Sequence, residues 1–519
     1  MRRLGWFYLL SNELPEGVSA EAATAALVTA PGVTDVVPSY DTVFVEFDTG
    51  LTDESRLRLL VAGAAGSPSV DGLRRRTVVI PTLYGGEYGV DLEAVARTVG
   101  VSQERVVELH AGAEYQVVAM GFMPGFAFMS GVPEALRVPR RAVPRAQVPA
   151  HSVAIANGQA GVYPLASPGG WNLLGTALTA MYDPHRTEPF LLRPGDAVRF
   201  EPAPVGSAPA RAPRPLRLLP EGPRLPTLLV AAQGLLDLVV DEGRFQVGRF
   251  GLARSGPLDA RRARLANLLI GNPPGAAVVE LTLTGPVFQV LRDVAIAVTG
   301  DALVPVIDGR RLSSWTSLAL RRGQVLSFEQ GHAGARAYLA LAGGIEAASY
   351  LGSRSADVRG LVGGSLSVGD VIGTDSDRVA PAGRSFRPHE REEHVISVRL
   401  EPGPQASPAA MAALTSAPFA FGSGDRTGIR LVGQPVPGGE VVSQGAPIGA
   451  VQVTPAGFPI VLLSDRGTLG GYHKPAVVHQ EDLGKLAQLR PHQLVRFVLT
   501  EGGRTAVSSR SRRDPRRVR

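Results

Sequence analysis

The sequence predicts a mainly β protein, in which an α+β subdomain is followed by three related β-barrel units. Three observations predict this. The 519 residues include 61 Gly and 42 Pro, which punctuate turns between short strands. From Gly121 onward, prolines recur at 124, 133, 139, 144, 149, 164 and 168, with glycines between short apolar runs. A turn-and-strand phrase is also written three times: Leu192–Phe200 (LRPGDAVRF), Leu320–Phe328 (LRRGQVLSF) and Leu489–Phe497 (LRPHQLVRF). Three units that each close on a similar strand would carry such an echo.

The elements follow in order. Leu4–Leu10 is apolar, lies behind Arg2 and Arg3, and runs into Ser11-Asn12-Glu13 with no small-residue cleavage site. It reads as a first strand rather than a leader. Ala20–Ala30 is Ala-rich and follows Ser19, a natural N-cap, so a helix is predicted. Thr42–Phe47 (TVFVEF) has the β-branched and aromatic content of a strand. Val78-Val79-Ile80 is a strand stopped by Pro81. Asp91–Val99 and Ser102–Leu109 are short helices, the second capped by Ser102 with Glu104 in its first turn. Residues 201–226 are rich in Pro, Ala and Arg and read as a semi-rigid linker.

The expected organisation is an α+β subdomain (1–80), a barrel (81–203), the linker (204–226), two further barrels (227–500) and a basic tail (501–519). The length accommodates roughly three to four domains.

Composition excludes several functions. With no Cys, there are no disulfides, thiolate metal sites or Cys nucleophiles. The net charge of +6 is accounted for by Arg504–Arg519, which holds seven Arg and one Asp. The rest is nearly neutral, which argues against a nucleic-acid groove. The tail is a solvated end or a contact for an acidic partner. No stretch reaches the ~18 apolar residues of a membrane span. A cytoplasmic protein with no nucleic-acid or membrane partner is expected.

Four motifs can carry chemistry, and each has a structural alternative. Gly121–Phe126 (GFMPGF) is either an anion-binding turn centred on Gly125 or a packed turn with its Phe rings in the core. Ser167–Asn172 (SPGGWN) offers Gly169 and Gly170 for close backbone approach, Trp171 as a flat face and Asn172 as an amide. With Gln159 and Tyr163 it lines a small-amide pocket, or else it is a loop around a core Trp.

In Gly424–Leu431, Asp425, Arg426 and Arg430 form either an anion clamp or a loop-pinning ion pair. In the fourth motif, Gln452 lies in an apolar strand, and Asp465, Tyr472 and Lys474 bracket Gly470-Gly471. Lys474 is one of only two lysines and suits proton transfer or an oxyanion contact, unless it is a surface residue.

His110 is a candidate base, but no second His lies at ligand spacing. His389 and His394 fall in a charged segment that reads as an exposed loop, so no metal site is expected. P-loop, Rossmann and Gly-x-Ser-x-Gly signatures are absent. Neither Lys has the Met flanks of a biotin carrier, so no covalent biotin is expected.

The N-terminal half resembles the family of 5-oxoprolinase B-type subunits, also called allophanate hydrolase subunit 1. The resemblance rests on IPTLYGGEYGVDLEAVA (80–96), ELHAGAEYQVVAMGFMPGFAFM (108–129), VPRRAVPRAQVPAHSVAIANGQAGVYP (138–164) and SPGGWNLLG (167–175). The C-terminal half resembles the 5-oxoprolinase C-type subunits, or allophanate hydrolase subunit 2. Here the matching stretches are SGPLDARRARLANLLIGN (255–272), ELTLTGPVF (280–288), AGGI (342–345), LGSRS (351–355), GDRTGIRL (424–431) and GAVQVTPAGFPIVLLSDRGTLGGYHKPAVV (449–478). Three positions depart from the family pattern. Asp237–Arg244 lacks the Gln of T-x-Q-D-x-G-R, Ala356 ends the usual S-R-S-T, and His151 replaces a common Gly.

The resemblance implies cyclophilin-like barrels and the fused B and C subunits of an ATP-dependent 5-oxoprolinase. Such an enzyme opens a lactam to glutamate together with a third, A-type subunit. It also implies two alternatives: a carboxyltransferase acting on urea or another amide with biotin in trans, and a kinase-inhibiting module. In the first reading Arg426 and Lys474 stabilise negative charge, and Asp465 or His110 handles protons. Gly125, Gln159, Tyr163, Gly169, Gly170, Trp171, Asn172, Gln452 and Tyr472 hold a small planar amide. A homo-oligomer is compatible with all of this.

Overall fold

The structure, a computed structural model, describes residues 14–65, 76–204, 206–378, 382–386, 388 and 393–500, and the backbone of strands Arg2–Leu4 and Tyr8–Ser11. The tail from 501 onward and His389 lie outside the described residues. Strand accounts for 37% and helix for 15%, so the chain is mainly β.

The expected first strand is divided into Arg2–Leu4 and Tyr8–Ser11, paired antiparallel. Helices Ala20–Val28 and Glu54–Gly63 start where the side chains of Ser19 and Asp53 accept from the amides of Ala22 and Arg56. Both helices pack on the hairpin Val33–Ser39/Thr42–Phe47, burying Leu27, Leu57 and Val61 against Val36 and Val45. Ser39 also pairs with Ala119, which joins this hairpin to the next unit.

The first barrel closes through seven strands in the order Tyr115–Met120, Ala197–Pro202, Thr77–Tyr84, Asn172–Ala177, Ser152–Ala156, Gln159–Val162, Ala127–Ser130 and back to the first. The last barrel repeats the plan with Val395–Pro402, Leu494–Leu499, Phe419–Gly424, Gly428–Val432, Pro459–Leu462, Ala450–Val453 and Leu469–Val478. Glu440–Gly445 is added along the edge of Leu469–Val478. In both barrels the opening and closing strands are parallel neighbours. The middle unit instead lays a six-stranded sheet over a five-stranded one, with Val230, Phe288, Ile296, Leu326 and Leu339 in its core.

The threefold echo has a physical basis. In each copy the amide at the second position donates to the side chain three residues on: Arg193 to Asp196 (2.8 Å), Arg321 to Gln324 (2.7 Å) and Arg490 to Gln493 (2.8 Å). The residue between has positive φ: Gly195 (90°), Gly323 (89°) and, in the last copy, His492 (67°). The copies occupy equivalent places only in the two closed barrels. In the middle unit the strand Val325–Gln330 is antiparallel to both of its neighbours.

The linker is more ordered than its composition predicts. Leu216 forms a parallel bridge with Val362, and Ala348 N–H donates to Leu218 O at 2.7 Å. Leu218 is buried with Tyr182, Phe190, Leu252 and Tyr350. Arg217 pairs with Asp370 (2.7 Å) and Arg224 with Glu346 (3.3 Å). The segment from Leu216 therefore belongs to the C-terminal half.

Candidate functional site

Gly121–Phe126 is a packed turn. Gly121 N–H donates to Phe126 O, Met123 N–H to Gly121 O, Gly125 N–H to Phe250 O and Phe126 N–H to Met123 O, at 2.7–3.1 Å. With these amides engaged, the loop does not form an anion cradle around Gly125. The Phe126 ring meets Phe128, Tyr163 and Trp171 edge-on, with centroids 4.9–5.6 Å apart. Trp171 is thus a buried core residue rather than an open face for a planar ligand.

Asn172 donates to Pro139 O (2.9 Å) and Ile155 O (3.3 Å) and is spent on the loop. Gly170 O accepts from Arg141 N–H (2.8 Å), and Gly169 packs on the Tyr163 ring. Gln159 is half-buried and donates through Nε2 to the Tyr40 hydroxyl. Tyr40 carries no site signal in the sequence. It turns the α+β hairpin at φ 52°, and burial pushes its phenol up to about 12.

On the other side, Lys474 is fully buried in strand Leu469–Val478. Its ammonium donates to Tyr472 O (3.2 Å) and Gly470 O (3.3 Å), and among the described residues no carboxylate is within ion-pair distance. Burial without a counter-charge pulls its pKa down to about 8. Gln452 packs on Gly470, where a Cβ would overlap its Nε2, and that buried Nε2 has no hydrogen-bond partner among the described residues. Gly470 to His473 are half-exposed, so a thin glycine-bearing strand, including Tyr472, separates Lys474 from solvent.

The two sides meet at one seam. Ser39 Oγ donates to Ser443 O at 2.5 Å, one residue from Tyr40 on one side and from Gln444 on the other. Gln444 Oε1 accepts from Gln405 Nε2 (3.3 Å), whose Oε1 accepts from Lys474 N–H (2.9 Å). Leu469 and Val477 share an apolar cluster with Val37, Phe44, Tyr163 and Trp171. Gly121, lacking a side chain, admits Leu469 into it. The structure therefore brings together Gln159, Tyr163 and Trp171 with the strand that carries Tyr472 and Lys474.

Three expected catalytic residues lie elsewhere. His110 is enclosed in the first barrel's core against Tyr115 and Phe200, and its Nδ1 shares a 2.8 Å hydrogen bond with the Tyr84 hydroxyl. Burial pushes its pKa down to about 3, so it is a neutral packing residue.

Arg426 is buried and held by two carboxylates. It grips Asp465 through Nε (2.7 Å) and Nη2 (3.1 Å), donates to Gly256 O (2.6 Å) and pairs with Glu280. Glu280 also accepts from Tyr338 Oη (2.9 Å) and Leu258 N–H (2.8 Å). Arg426 and Asp465 thus tie the last barrel to the middle unit, with four of the five guanidinium N–H groups engaged inside the protein and both carboxylate partners neutralising its charge. Nearby, Asp241 accepts from Ser355 Oγ and Arg354 N–H, both at 2.7 Å, so the D-x-G-R and S-R-S stretches hold each other.

The solved structure of TTHA0988 superposes with a TM-score of 0.89 at 47% identity, over 95% of this chain and 99% of that one. The chain matches the family described as carboxyltransferase domain, subdomains C and D, over residues 11–192, and subdomains A and B over residues 250–499. The C subunit of the 5-oxoprolinase of Escherichia coli K12 is 33% identical over 284 residues, which is 52% of this chain and 90% of that protein.

The chain belongs to the family of fused 5-oxoprolinase B and C subunits. The B subunit from Escherichia coli O157:H7 is 53% identical over 131 residues, 25% of this chain, and the match spans 60% of that protein's length. The urea amidolyase of Saccharomyces cerevisiae is 31% identical over 287 residues, 49% of this chain and 16% of that protein. Within the family frame, the junction of the B-like and C-like halves is the seam that carries Tyr40, Gln159, Gln452 and Lys474.

Proposed function

We propose that this chain is the fused B and C component of an ATP-dependent 5-oxoprolinase, opening the lactam of 5-oxoproline to glutamate together with a third, A-type subunit. One observation carries the reading: a buried lysine without a counter-charge, beside a glutamine amide donor without a partner, at the seam of the two halves. Opening a lactam breaks its C–N bond. Water supplies the new carboxyl oxygen and the nitrogen takes up a proton. A Lys474 amine titrating near about 8 holds or releases that proton near neutral pH. The Gln452 amide can donate to the lactam carbonyl oxygen once the Gly470–His473 strand moves aside.

ATP does not fit the residues that the motifs nominate for an anion. The amides of Gly121, Met123, Gly125 and Phe126 are engaged, and the buried Arg426 is neutralised by Asp465 and Glu280, so neither forms a phosphate cradle. We assign the nucleotide to the third subunit.

The test combines the chain with the A-type subunit of a homologous complex, ATP and 5-oxoproline, and follows glutamate. Glutamate is expected, and Lys474→Met should abolish it. No glutamate under conditions where the homologous complex works would overturn the reading. The carboxyltransferase description matched by both halves favours a second reading, carboxyl transfer to a small amide from a biotin carrier in trans. Carboxybiotin-dependent carboxylation of urea, with no response to 5-oxoproline, would select it.

A further inference from the structure

A cavity of about 360 Å³ opens where the first half meets the second, away from Lys474. The apolar part of its wall is Pro189 and Phe190 from the first half, and Phe245, Val247, Phe250 and Leu351 from the second. Phe190 and Phe250 stack with centroids 4.7 Å apart and planes 7° from parallel. Phe245 and Leu351 each keep 39% of their surface exposed, so apolar area is left in water at the mouth. The volume lies in the small-ligand range of roughly 300–1,000 Å³.

Two arginines line this cavity, and they differ. Arg193 is paired with Glu188 at 3.0 Å. Arg249 lies over the Phe250 ring at 4.9 Å, its Nη1 is buried without a partner, and among the described residues it has no carboxylate within ion-pair distance. The nearby Asp35 takes the amides of Gly248 (3.1 Å) and Val36 (3.0 Å) on its Oδ1 alone, and burial pushes its carboxyl up to about 7, which weakens it as a counter-charge to Arg249.

Gln246, also in the wall, donates through Nε2 to Val33 O (2.9 Å) and Val28 O (3.3 Å), and its buried Oε1 has no partner among the described residues. Gln246 and Leu351 both hold positive φ, 60° and 48°, a conformation disfavoured for side-chain-bearing residues and often found at ligand clamps.

We propose that this cavity binds a small carboxylate with a flat apolar body, the carboxylate taken by Arg249 and the body packed among Phe190, Phe245 and Phe250. The site needs both halves of the chain and does not depend on the lactam-opening reading.

The test uses the intact chain and 3-phenylpropionate as probe, with 3-phenylpropanamide as its uncharged counterpart, followed by calorimetry or ligand-observed NMR. Saturable one-to-one binding of the acid is expected, with the amide weaker by about tenfold, the worth of a charged hydrogen bond. Arg249→Met should weaken the acid by a similar factor. Equal binding of acid and amide to the unaltered protein, no saturable binding of either, or undiminished binding by a folded Arg249→Met variant would each overturn the proposal.

Discussion

The hydroxyl of Ser39 donates to the carbonyl oxygen of Ser443 at 2.5 Å, across 404 residues of chain. It fastens the turn of the α+β hairpin to the edge strand of the last barrel. Tyr40 and Gln444 stand one residue away on either side. Replacing Ser39 with Ala should cost about 1 kcal/mol, the net worth of one hydrogen bond. A lower urea midpoint would report it, and earlier proteolysis between the halves should accompany it.

Lys474 gives a pH signature. Its folded pKa is about 8, below its ordinary 10.5, so between those values the unfolded chain keeps a proton that the folded one has lost. Stability therefore gains from this residue as pH rises through that window. The Lys474→Met variant should lack that rise, and urea titrations at pH 8 and pH 10 would show the difference between the two proteins.

His110 acts in the opposite range. Its folded pKa is about 3 against an ordinary 6.5, so on acidification the unfolded chain takes up a proton that the folded one refuses. Its contribution is intact above the ordinary value and falls away as pH drops below it. His110→Phe should flatten this part of the acid profile while leaving catalytic turnover within about twofold, since the imidazole is remote from the seam.

Arg426→Met should be among the most damaging single changes. It leaves Asp465 and Glu280 buried without their shared cation, a loss of about 3–5 kcal/mol for a broken buried pair. Adding Asp465→Asn should recover part of that loss. Chemical unfolding of the single and double variants checks both expectations.

Gly470→Ala tests the site without replacing any of its functional groups. The new Cβ would overlap Gln452 Nε2 and force that side chain to move. Amide-opening activity should fall by an order of magnitude or more, with a stability cost of about 1–3 kcal/mol. Glutamate formation and the unfolding midpoint measure the two separately.

What the sequence reveals is what is local. The helix begun by Ser102 follows from its cap, whose oxygen accepts from Arg105 N–H (3.2 Å). The thrice-written turn follows from a side chain three residues along. What stays hidden depends on distant partners. Arg426 reads equally as clamp or pin until Glu280, 146 residues away, is seen against it. Trp171 reads equally as a ligand platform or a core residue until Phe126 and Phe128 are found against it. Leu216 and Leu218 are lost within a Pro- and Arg-rich composition, although their backbone pairs with Val362 and Ala348, far along the chain. Tyr40 carries no signal at all, because its importance comes from the hairpin that delivers it to Gln159.

The parallel pairing of Thr77–Tyr84 with Ala197–Pro202 has a directional effect. Ala197 lies beside Thr77 and Pro202 beside Thr82, so the backbone enters the first barrel at one pole and departs from the other. The last barrel passes its chain through in the same sense, with Val395 beside Leu494 and Leu400 beside Leu499. The first barrel is thus a relay that hands the chain onward instead of returning it to its starting point, and Thr77 and Pro202 lie at its opposite ends.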